Sequence, residues 1–319
     1  MNRLCKKTAT STGSGAFPSV RMDPMPLPDM VEIASGPLLA RFAPGWGGRL
    51  THLVHAELGD ILVPTHETEF DPWTWPKAGA YPLFPYHNRV AGAAFSHLGR
   101  DYTVVPHPAL AGDAMHGPAH RRGWRIEEQA SDRVTLRLDY RTDDEWPFSF
   151  TAWQTFTLDD QGLSLKLKLL NRADHPAPAV IGWHPYIQAS LDNKAYTDAT
   201  AAYVLDRLNM PISSVPVHHD YATIPASSGY TLHFCNWKRA ELLRDEAKLV
   251  ISADPIFGHI AVHRTERYLC LEPVSAAAGV LRLPESERQA SGFAVLGQGE
   301  HLSGRIRMSI TSIKHGEPS

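Results

Sequence analysis

The sequence predicts an all-β fold, on three observations. Long segments alternate apolar and polar residues with a period of two, which is typical of strands with one buried face. Turn-forming residues are frequent, with 25 prolines and 23 glycines, and they separate the alternating segments at short intervals. Few windows keep the 3.6-residue apolar period of a helix. Strands at such spacing favour a large sandwich or barrel.

Seven segments carry the strand pattern. In chain order they are VTLRLDY at 134–140, FTAWQTFTL at 150–158, LSLKLKLL at 163–170, YTLHFC at 230–235, LVISA at 249–253, YLCLEP at 268–273 and GRIRMSITSI at 304–313. Turns are expected at 158–162, 171–176 and 226–229. A short helix near 190–200 is a further possibility. The glycine-rich GWGGRL at 45–50 lacks the Gly-Lys-Ser/Thr ending of a phosphate loop, so a bulge or tight hairpin is expected there.

The chain of 319 residues is expected to form one large domain. At ~150 residues per domain its length would suggest two domains, but single all-β domains are often longer. No repeat, charge run or linker interrupts the sequence between 30 and 315, so the predicted domain spans 29–315. Residues 1–28 are small, polar and proline-rich, which predicts a flexible N-terminal tail. The last residues, KHGEPS at 314–319, are expected to fray.

Composition and charge limit the classes of binding partner and the cellular compartment that are expected. A net charge of −3 leaves no basic excess to hold nucleic acid or an acidic membrane surface. No apolar run approaches the ~20 residues that span a bilayer. The chain has three cysteines, Cys5, Cys235 and Cys270. Their number is odd, and their spacing matches no zinc-binding or redox motif. No apolar signal-peptide core follows Lys6 and Lys7, so a cytoplasmic location is expected.

Two histidines are candidates for proton transfer. His116 lies in AMHGPAHRRGW, where Gly117 and Pro118 predict a turn. His184 lies in VIGWHPYI, where a strand is expected to stop at Pro185. Imidazole is the usual proton donor or acceptor near neutral pH, although either residue taken alone is more often structural.

A carboxylate and a basic loop complete the set of candidates. Glu272 follows the apolar run YLCL, so partial burial should raise its pKa and suit it to act as a base. Asn88 and Arg89 in PLFPYHNRV would supply hydrogen-bond donors, and a surface salt bridge is the alternative for Arg89. A resident metal is not expected, because Gly117-Pro118 disfavours the helix that would bring His116 and His120 together. No serine-nucleophile elbow is present, and Glu272 has no obvious carboxylate partner for glycoside hydrolysis.

The candidate motifs follow one another in a characteristic order. The order is GWGGRL, PLFPYHNRVAG, MHGPAHRRGW, IGWHPYI, YLCLEPVS and FAVLGQGEHL. This pattern resembles the aldose 1-epimerase (mutarotase) superfamily from about 30 to 315. The resemblance implies a large antiparallel β-supersandwich of the galactose mutarotase-like type, with little helix, a sugar cleft and no cofactor.

The resemblance also implies roles for individual residues. Glu272 matches the general base that takes the proton of the anomeric hydroxyl, and His184 matches the general acid that protonates the ring oxygen. A raised pKa for Glu272 and a near-neutral pKa for His184 would suit both to pH 7. His116 matches the second histidine, which binds near the ring oxygen. Ring opening, rotation about C1–C2 and reclosure would interconvert the α and β anomers of an aldohexose.

The resemblance also implies a set of sugar-binding residues. The expected set is Arg89, Asn88, Tyr86, Trp183, Tyr186 and Thr231. Aromatic faces suit the C–H faces of a pyranose, although most Trp and Tyr residues on sheets belong to the core. Thr231 stands where many relatives carry a sugar-binding Asp, and Gln298 stands where the closing Pro-Gly-Glu has its proline.

Two other functions fit the same pattern. A non-catalytic sugar-binding or sensing protein would keep the cleft without the turnover. A hexose-phosphate epimerase would need basic residues around the phosphate, and the nearby candidates are Arg121, Arg122 and His87. In each case the partner is a small sugar, and the protein is expected to be a monomer or a homodimer.

Overall fold

The computed structural model describes residues 25–26, 29–74, 76–217, 222–244 and 246–313. The predicted tail at 1–28 therefore lies outside the described residues except for 25–26. The predicted frayed end at 314–319 lies outside them too.

Strands dominate the described residues. The first fourteen are β1 Met25–Pro26, β2 Val31–Ser35, β3 Leu38–Ala43, β4 Arg49–His55, β5 Gly59–Asp60, β6 Glu69–Phe70, β7 Ala80–Leu83, β8 Arg89–Val90, β9 Ala94–His97, β10 Arg100–Thr103, β11 Ala114–Met115, β12 Arg125–Gln129, β13 Arg133–Tyr140 and β14 Phe150–Asp159. The others are β15 Gly162–Asn171, β16 Ala177–Ala179, β17 Gly182–Gln188, β18 Lys194–Thr197, β19 Ala201–Leu205, β20 Pro211–Pro216, β21 Ala222–Ile224, β22 Tyr230–Cys235, β23 Arg239–Leu243, β24 Ala247–Ala253, β25 His259–Arg264, β26 Tyr268–Val274, β27 Ala294–Leu296 and β28 His301–Ser312.

Helical structure is short. One α-helical turn, α1, spans Glu285–Arg288, and 3₁₀ turns span Ala91–Ala93, Ala119–Arg121, Val280–Arg282 and Gln289–Ser291. Within the described part of the chain, no helix has the length and hydropathy that crossing a membrane requires.

Two large antiparallel sheets form the sandwich. One has nine strands in the order β12-β13-β14-β15-β28-β24-β23-β18-β21. The other has eleven, in the order β2-β3-β4-β7-β17-β26-β25-β22-β19-β20 with β5 added beside β4. The predicted all-β supersandwich with little helix is confirmed, and each of the seven predicted segments forms a strand.

Alternation along the strands explains how the two sheets pack. Leu163, Leu165, Leu167 and Leu169 of β15 are all buried, and the residues between them face outward. Each such leucine contributes roughly 1.5–3 kcal/mol through burial. The sheets meet where Phe42 of β3 contacts Phe156 of β14, with ring centroids 4.7 Å apart.

The glycine-rich segment at 45–50 connects β3 to β4 as a tight hairpin, as predicted, with a register shift at Arg41/Phe42. Gly47 has a φ of +76°, and a Cβ atom there would lie 2.0 Å from the carbonyl oxygen of His120. Only glycine fits this approach, which holds the hairpin against the 3₁₀ turn at Ala119–Arg121.

Two local predictions are wrong. The segment near 190–200 is not helical, because β18 pairs there with both β21 and β23 and buries Ala195 and Thr197 on one face. The strand expected to stop at Pro185 continues to Gln188, since Pro185 pairs with Ala80 of β7. In both places pairing with neighbouring strands overrides the local preference.

Candidate active site

Three neighbouring strands of the eleven-stranded sheet bring the candidate acid and base together. His184 of β17 lies opposite Tyr81 of β7. On the other side, β17 pairs with β26 at Gly182–Val274 and again from Tyr186–Cys270 onward. This register places Glu272 opposite His184, at the point where the backbone pairing between β17 and β26 is interrupted. Pro185, which lacks an amide hydrogen, lies in the interruption.

His184 and Glu272 are in direct contact. Nε2 of His184 lies 3.3 Å from Oε1 of Glu272, and their side chains are only 9% and 7% exposed. Burial raises the pKa of Glu272 to about 8, and the nearby charge of Lys77 partly opposes this effect. The predicted rise in the pKa of this carboxyl is therefore confirmed.

The expected near-neutral pKa of His184 is wrong. Burial holds the pKa of this imidazole well below its usual value, and the positive charge of Lys77 acts in the same direction. At pH 7 the two groups therefore hold one proton between them, with the proton favoured on Glu272. The sequence shows that a histidine follows Trp183, but it does not show how completely this histidine is buried.

His116 is held by the loop that contains Asn88. The backbone N–H of Asn88 donates to Nδ1 of His116 at 3.1 Å, and the backbone N–H of His116 donates to the carbonyl oxygen of Asn88 at 3.0 Å. Burial keeps the pKa of His116 well below its usual value, so the ring is neutral. Because Nδ1 accepts a hydrogen bond, the proton of the neutral ring is on Nε2. The ring lies 5.5 Å from that of His184, nearly perpendicular to it.

Two tyrosines stack on the ring of His184. The centroid of Tyr81 lies 4.7 Å from that of His184, and the centroid of Tyr186 lies 4.8 Å from it, both nearly parallel. The rings of the two tyrosines also lie near each other, with centroids 6.3 Å apart. Stacking of this kind fixes the plane of the imidazole. Sequence analysis named Tyr186 and missed Tyr81, which becomes evident only from the β7–β17 register.

The loop residues lie close to His116 but have protein partners of their own. Arg89 lies opposite Met115, next to His116, and its Nη1 donates to Oδ2 of Asp113 at 3.1 Å. The side-chain oxygen of Asn88 accepts a hydrogen bond from the backbone N–H of Arg89. Tyr86 is buried and packs on Trp146, with ring centroids 5.2 Å apart.

Trp183 and Thr231 are not brought to the His184–Glu272 pair. Successive residues of a strand point to opposite faces, so Trp183 points away from the face of His184, and it is buried in the main core. Thr231 is on the same face of the sheet as Cys270, but the register separates them by His263 of β25, to which Thr231 is hydrogen-bonded. Two strand spacings put Thr231 roughly 10 Å from Cys270.

One group of side chains in the described part of the chain could hold a metal ion. Ligand atoms of His184, Cys270 and Glu272 lie within 4.8 Å of one another, and all three residues are buried. Sequence analysis missed Cys270, although its position two residues before Glu272 on a strand places both on one face.

The residues considered for a phosphate group are already engaged. Arg121 donates through Nε to Glu145 at 2.9 Å, and Arg122 lies 2.7 Å from the same carboxylate. His87 bonds the carbonyl oxygen of Ala276 through Nε2, and burial lowers its pKa to about 4. These groups therefore present little net positive charge to an anionic substrate.

Comparison with known proteins agrees with the fold and the motifs. A family model for aldose 1-epimerase matches residues 29–252. The chain belongs to the aldose 1-epimerase family. The matched segment contains Arg89, His116 and His184, whereas Glu272 lies beyond its end.

Relatives of this family member are distant. The uncharacterized proteins YphB and YihR of Escherichia coli K12 are each 28% identical to it, over 130 and 110 residues. These matches span 41% and 34% of this chain, and 43% and 36% of the two relatives, which is less than half of either protein.

Solved structures extend the likeness in fold. A galactose mutarotase-like protein from Clostridium acetobutylicum has a TM-score of 0.79 at 18% identity, covering 89% of this chain and 95% of that one. A GalM/aldose epimerase homologue from C. elegans has a TM-score of 0.74 at 16% identity, covering 90% and 99%. At such identities the likeness shows the fold alone.

Proposed function

We propose that this protein is an aldose 1-epimerase that interconverts the α and β anomers of a free aldohexose. The observation that carries the proposal is the contact between His184 Nε2 and Glu272 Oε1 at 3.3 Å in a buried part of the sheet. The anomeric hydroxyl and the ring oxygen are both bonded to C1, so the groups that serve them must also be close together.

Glu272 and His184 together can accept and donate the protons that the reaction transfers. In the reactive form Glu272 is ionised and His184 is protonated. Glu272 takes the proton of the anomeric hydroxyl, the bond from C1 to the ring oxygen breaks, and His184 protonates the ring oxygen. Each such transfer is typically worth ~10²–10⁴-fold in rate. After rotation about C1–C2, the same steps run in reverse on the other face of the aldehyde and restore both groups.

The pair carries one proton throughout the cycle. The open-chain stage leaves Glu272 protonated and His184 neutral, which is also the form that burial favours in the free protein. The low polarity of the site therefore stabilises the stage at which the sugar is open. His116 would support the ring oxygen through its Nε2–H, in line with the tautomer that Asn88 imposes.

The two alternatives make different demands on the structure. A hexose-phosphate epimerase is disfavoured, because Arg121 and Arg122 are paired with Glu145. A sugar-binding protein without turnover would need the cleft but not the contact between His184 and Glu272. That contact favours catalysis.

Polarimetry on freshly dissolved α-D-glucose and α-D-galactose tests the proposal. The wild-type protein should bring each sugar to its anomeric equilibrium faster than buffer alone. Glu272→Gln should abolish this acceleration, while Glu128→Gln on the exposed strand β12 should retain it. Undiminished rates in Glu272→Gln would contradict the assignment of the base. Sugar binding in a thermal-shift assay without acceleration would support the sensing alternative.

A further inference from the structure

The buried site around His184 combines three side chains of the kinds that bind zinc. We propose that His184, Cys270 and Glu272 form a site for a zinc-type divalent ion, and that this ion inhibits the enzyme when it binds. Only the inhibition rests on the proposed epimerase function. The binding site itself rests on the positions of the three residues.

The spacing of the three ligand atoms suits a tetrahedral ion. Around zinc, with bonds of ~2.0–2.3 Å, neighbouring ligand atoms lie roughly 3.3–3.8 Å apart. Nε2 of His184 and Oε1 of Glu272 are already 3.3 Å apart. The sulfur of Cys270 lies within 4.8 Å of the other ligand atoms, so a small rotation of its side chain would complete the set.

The register of the sheet explains why the three residues meet. Cys270 and Glu272 are two residues apart on β26 and therefore point to one face. His184 faces Glu272 from β17, and Tyr186 faces Cys270. The three ligands thus stand on two adjacent strands rather than on loops, which holds them in place without a bound ion.

The chemistry of the ligands selects the ion. Thiolate and imidazole favour zinc, cobalt and cadmium, whereas magnesium and calcium prefer oxygen ligands alone. Three protein ligands leave a fourth position open to water or to a sugar oxygen. The two anionic ligands would balance the double charge of the ion.

Two further observations indicate that the ion would bind reversibly. Histidines in resident metal sites usually donate their second ring N–H to an acceptor. In the described residues, Nδ1 of His184 is buried and has no hydrogen-bond partner. The charge of Lys77 also acts on both Cys270 and Glu272 and opposes a cation there. We therefore infer an inhibitor site rather than a permanent metal centre.

A bound ion would block both proton transfers. It would occupy the lone pair of Nε2 on His184 and the carboxylate of Glu272, the two groups assigned to the reaction. Inhibition should therefore lower kcat and should reverse when a chelator removes the ion.

Cobalt binding tests the site without reference to activity. Purified protein is titrated with Co²⁺, and the thiolate-to-cobalt charge-transfer absorption in the near ultraviolet is recorded. Cys270→Ser is compared with Cys235→Ser, a matched change at a buried cysteine of β22, both in a Cys5→Ser background. The band should appear in Cys235→Ser and be lost in Cys270→Ser. Loss in neither variant, or absence of the band from the wild-type protein, would overturn the proposal.

Zinc inhibition is measured in parallel on the same proteins. With each variant compared with its own zinc-free rate, Cys270→Ser should need at least ~10-fold more Zn²⁺ for half-inhibition than Cys235→Ser, since the loss of one ligand weakens binding. Equal sensitivity of the two variants to Zn²⁺ would overturn the site.

If Cys270→Ser does not fold, Glu272→Gln replaces it in the cobalt titration, where it should weaken cobalt binding. A cobalt band in a protein that accelerates no sugar would support the metal site and contradict the proposed epimerase function. Epimerase activity without a cobalt band would support the function and contradict the metal site.

Discussion

Asn88 and His116 are joined by two hydrogen bonds that run in opposite directions, one from the amide of Asn88 to Nδ1 of His116 and one from the amide of His116 to the carbonyl of Asn88. Both residues have left-handed backbones, with φ of 58° and 60°. The tautomer of His116 is therefore set by the conformation of two short segments that are 28 residues apart in the chain. Substitutions that alter this conformation should change catalysis without touching the sugar.

Asn88→Gly and Asn88→Val separate the backbone role of Asn88 from a contact of its side chain. Asparagine and glycine tolerate a left-handed backbone, whereas a β-branched residue there costs on the order of 1–3 kcal/mol. We expect kcat to fall at least ~10-fold in the valine variant and much less in the glycine variant, because misplaced His116 loses part of its ~10²-fold contribution. Polarimetric kcat values check this. Equal losses in both variants would instead indicate that the Asn88 amide contacts the sugar, as sequence analysis expected.

Gly117 should be far less replaceable than Gly99. Both have a positive φ, of 68° and 71°, so alanine at either position costs roughly 1–2 kcal/mol. A Cβ atom at Gly117 would also lie 2.1 Å from the carbonyl oxygen of Phe84, whereas nothing lies within 4 Å of one at Gly99. Thermal melting should show a clearly larger loss of stability in Gly117→Ala, with reduced activity from displaced His116. Similar melting temperatures for the two variants would contradict the close approach.

The sequence predicted strands better than it predicted which residues meet. LSLKLKLL at 163–170 shows one buried face locally, so β15 could be predicted from its own residues. Tyr81 could not, because its contact with His184 depends on how β7 and β17 pair across about 100 residues. Trp183 shows a different limit: it and His184 are consecutive on one strand, so both cannot point to the same face.

Activity should follow a bell-shaped pH profile. The reactive pair needs one proton, and it loses that proton as the pH rises through about 8, the pKa of Glu272. It gains a second proton only at acidic pH, because burial holds the pKa of His184 well below its usual value. We expect kcat/KM to be level near pH 7 and to decline about tenfold per pH unit on the alkaline side. A flat profile between pH 7 and 9 would contradict the assignment.

Glu272→Gln should stabilise the protein, and more so at higher pH. The pKa of Glu272 is raised from 4.5 to about 8 on folding, so the folded protein binds more protons than the unfolded chain between these values. The contribution of Glu272 to wild-type stability therefore falls as the pH rises from about 4.5 to about 8, and the glutamine variant does not share this loss. A one-unit difference in pKa is worth about 1.4 kcal/mol, which sets an upper limit on the order of 4–5 kcal/mol above pH 8.

Urea unfolding of both proteins at pH 4.5 and at pH 8.5 measures the effect. The two free energies of unfolding should nearly agree at pH 4.5, where the carboxyl is protonated in the folded protein and about half protonated in the unfolded chain. At pH 8.5 the variant should be the more stable protein by a measurable margin. Glu241→Gln is the matched control, because Glu241 is also buried but lies in ion pairs with Arg239 and Lys248. Removing its charge leaves those cations without their partner, so this variant should lose stability at pH 8.5. A Glu272→Gln variant that is no more stable than wild type at pH 8.5 would show that the carboxylate is better solvated than its burial indicates.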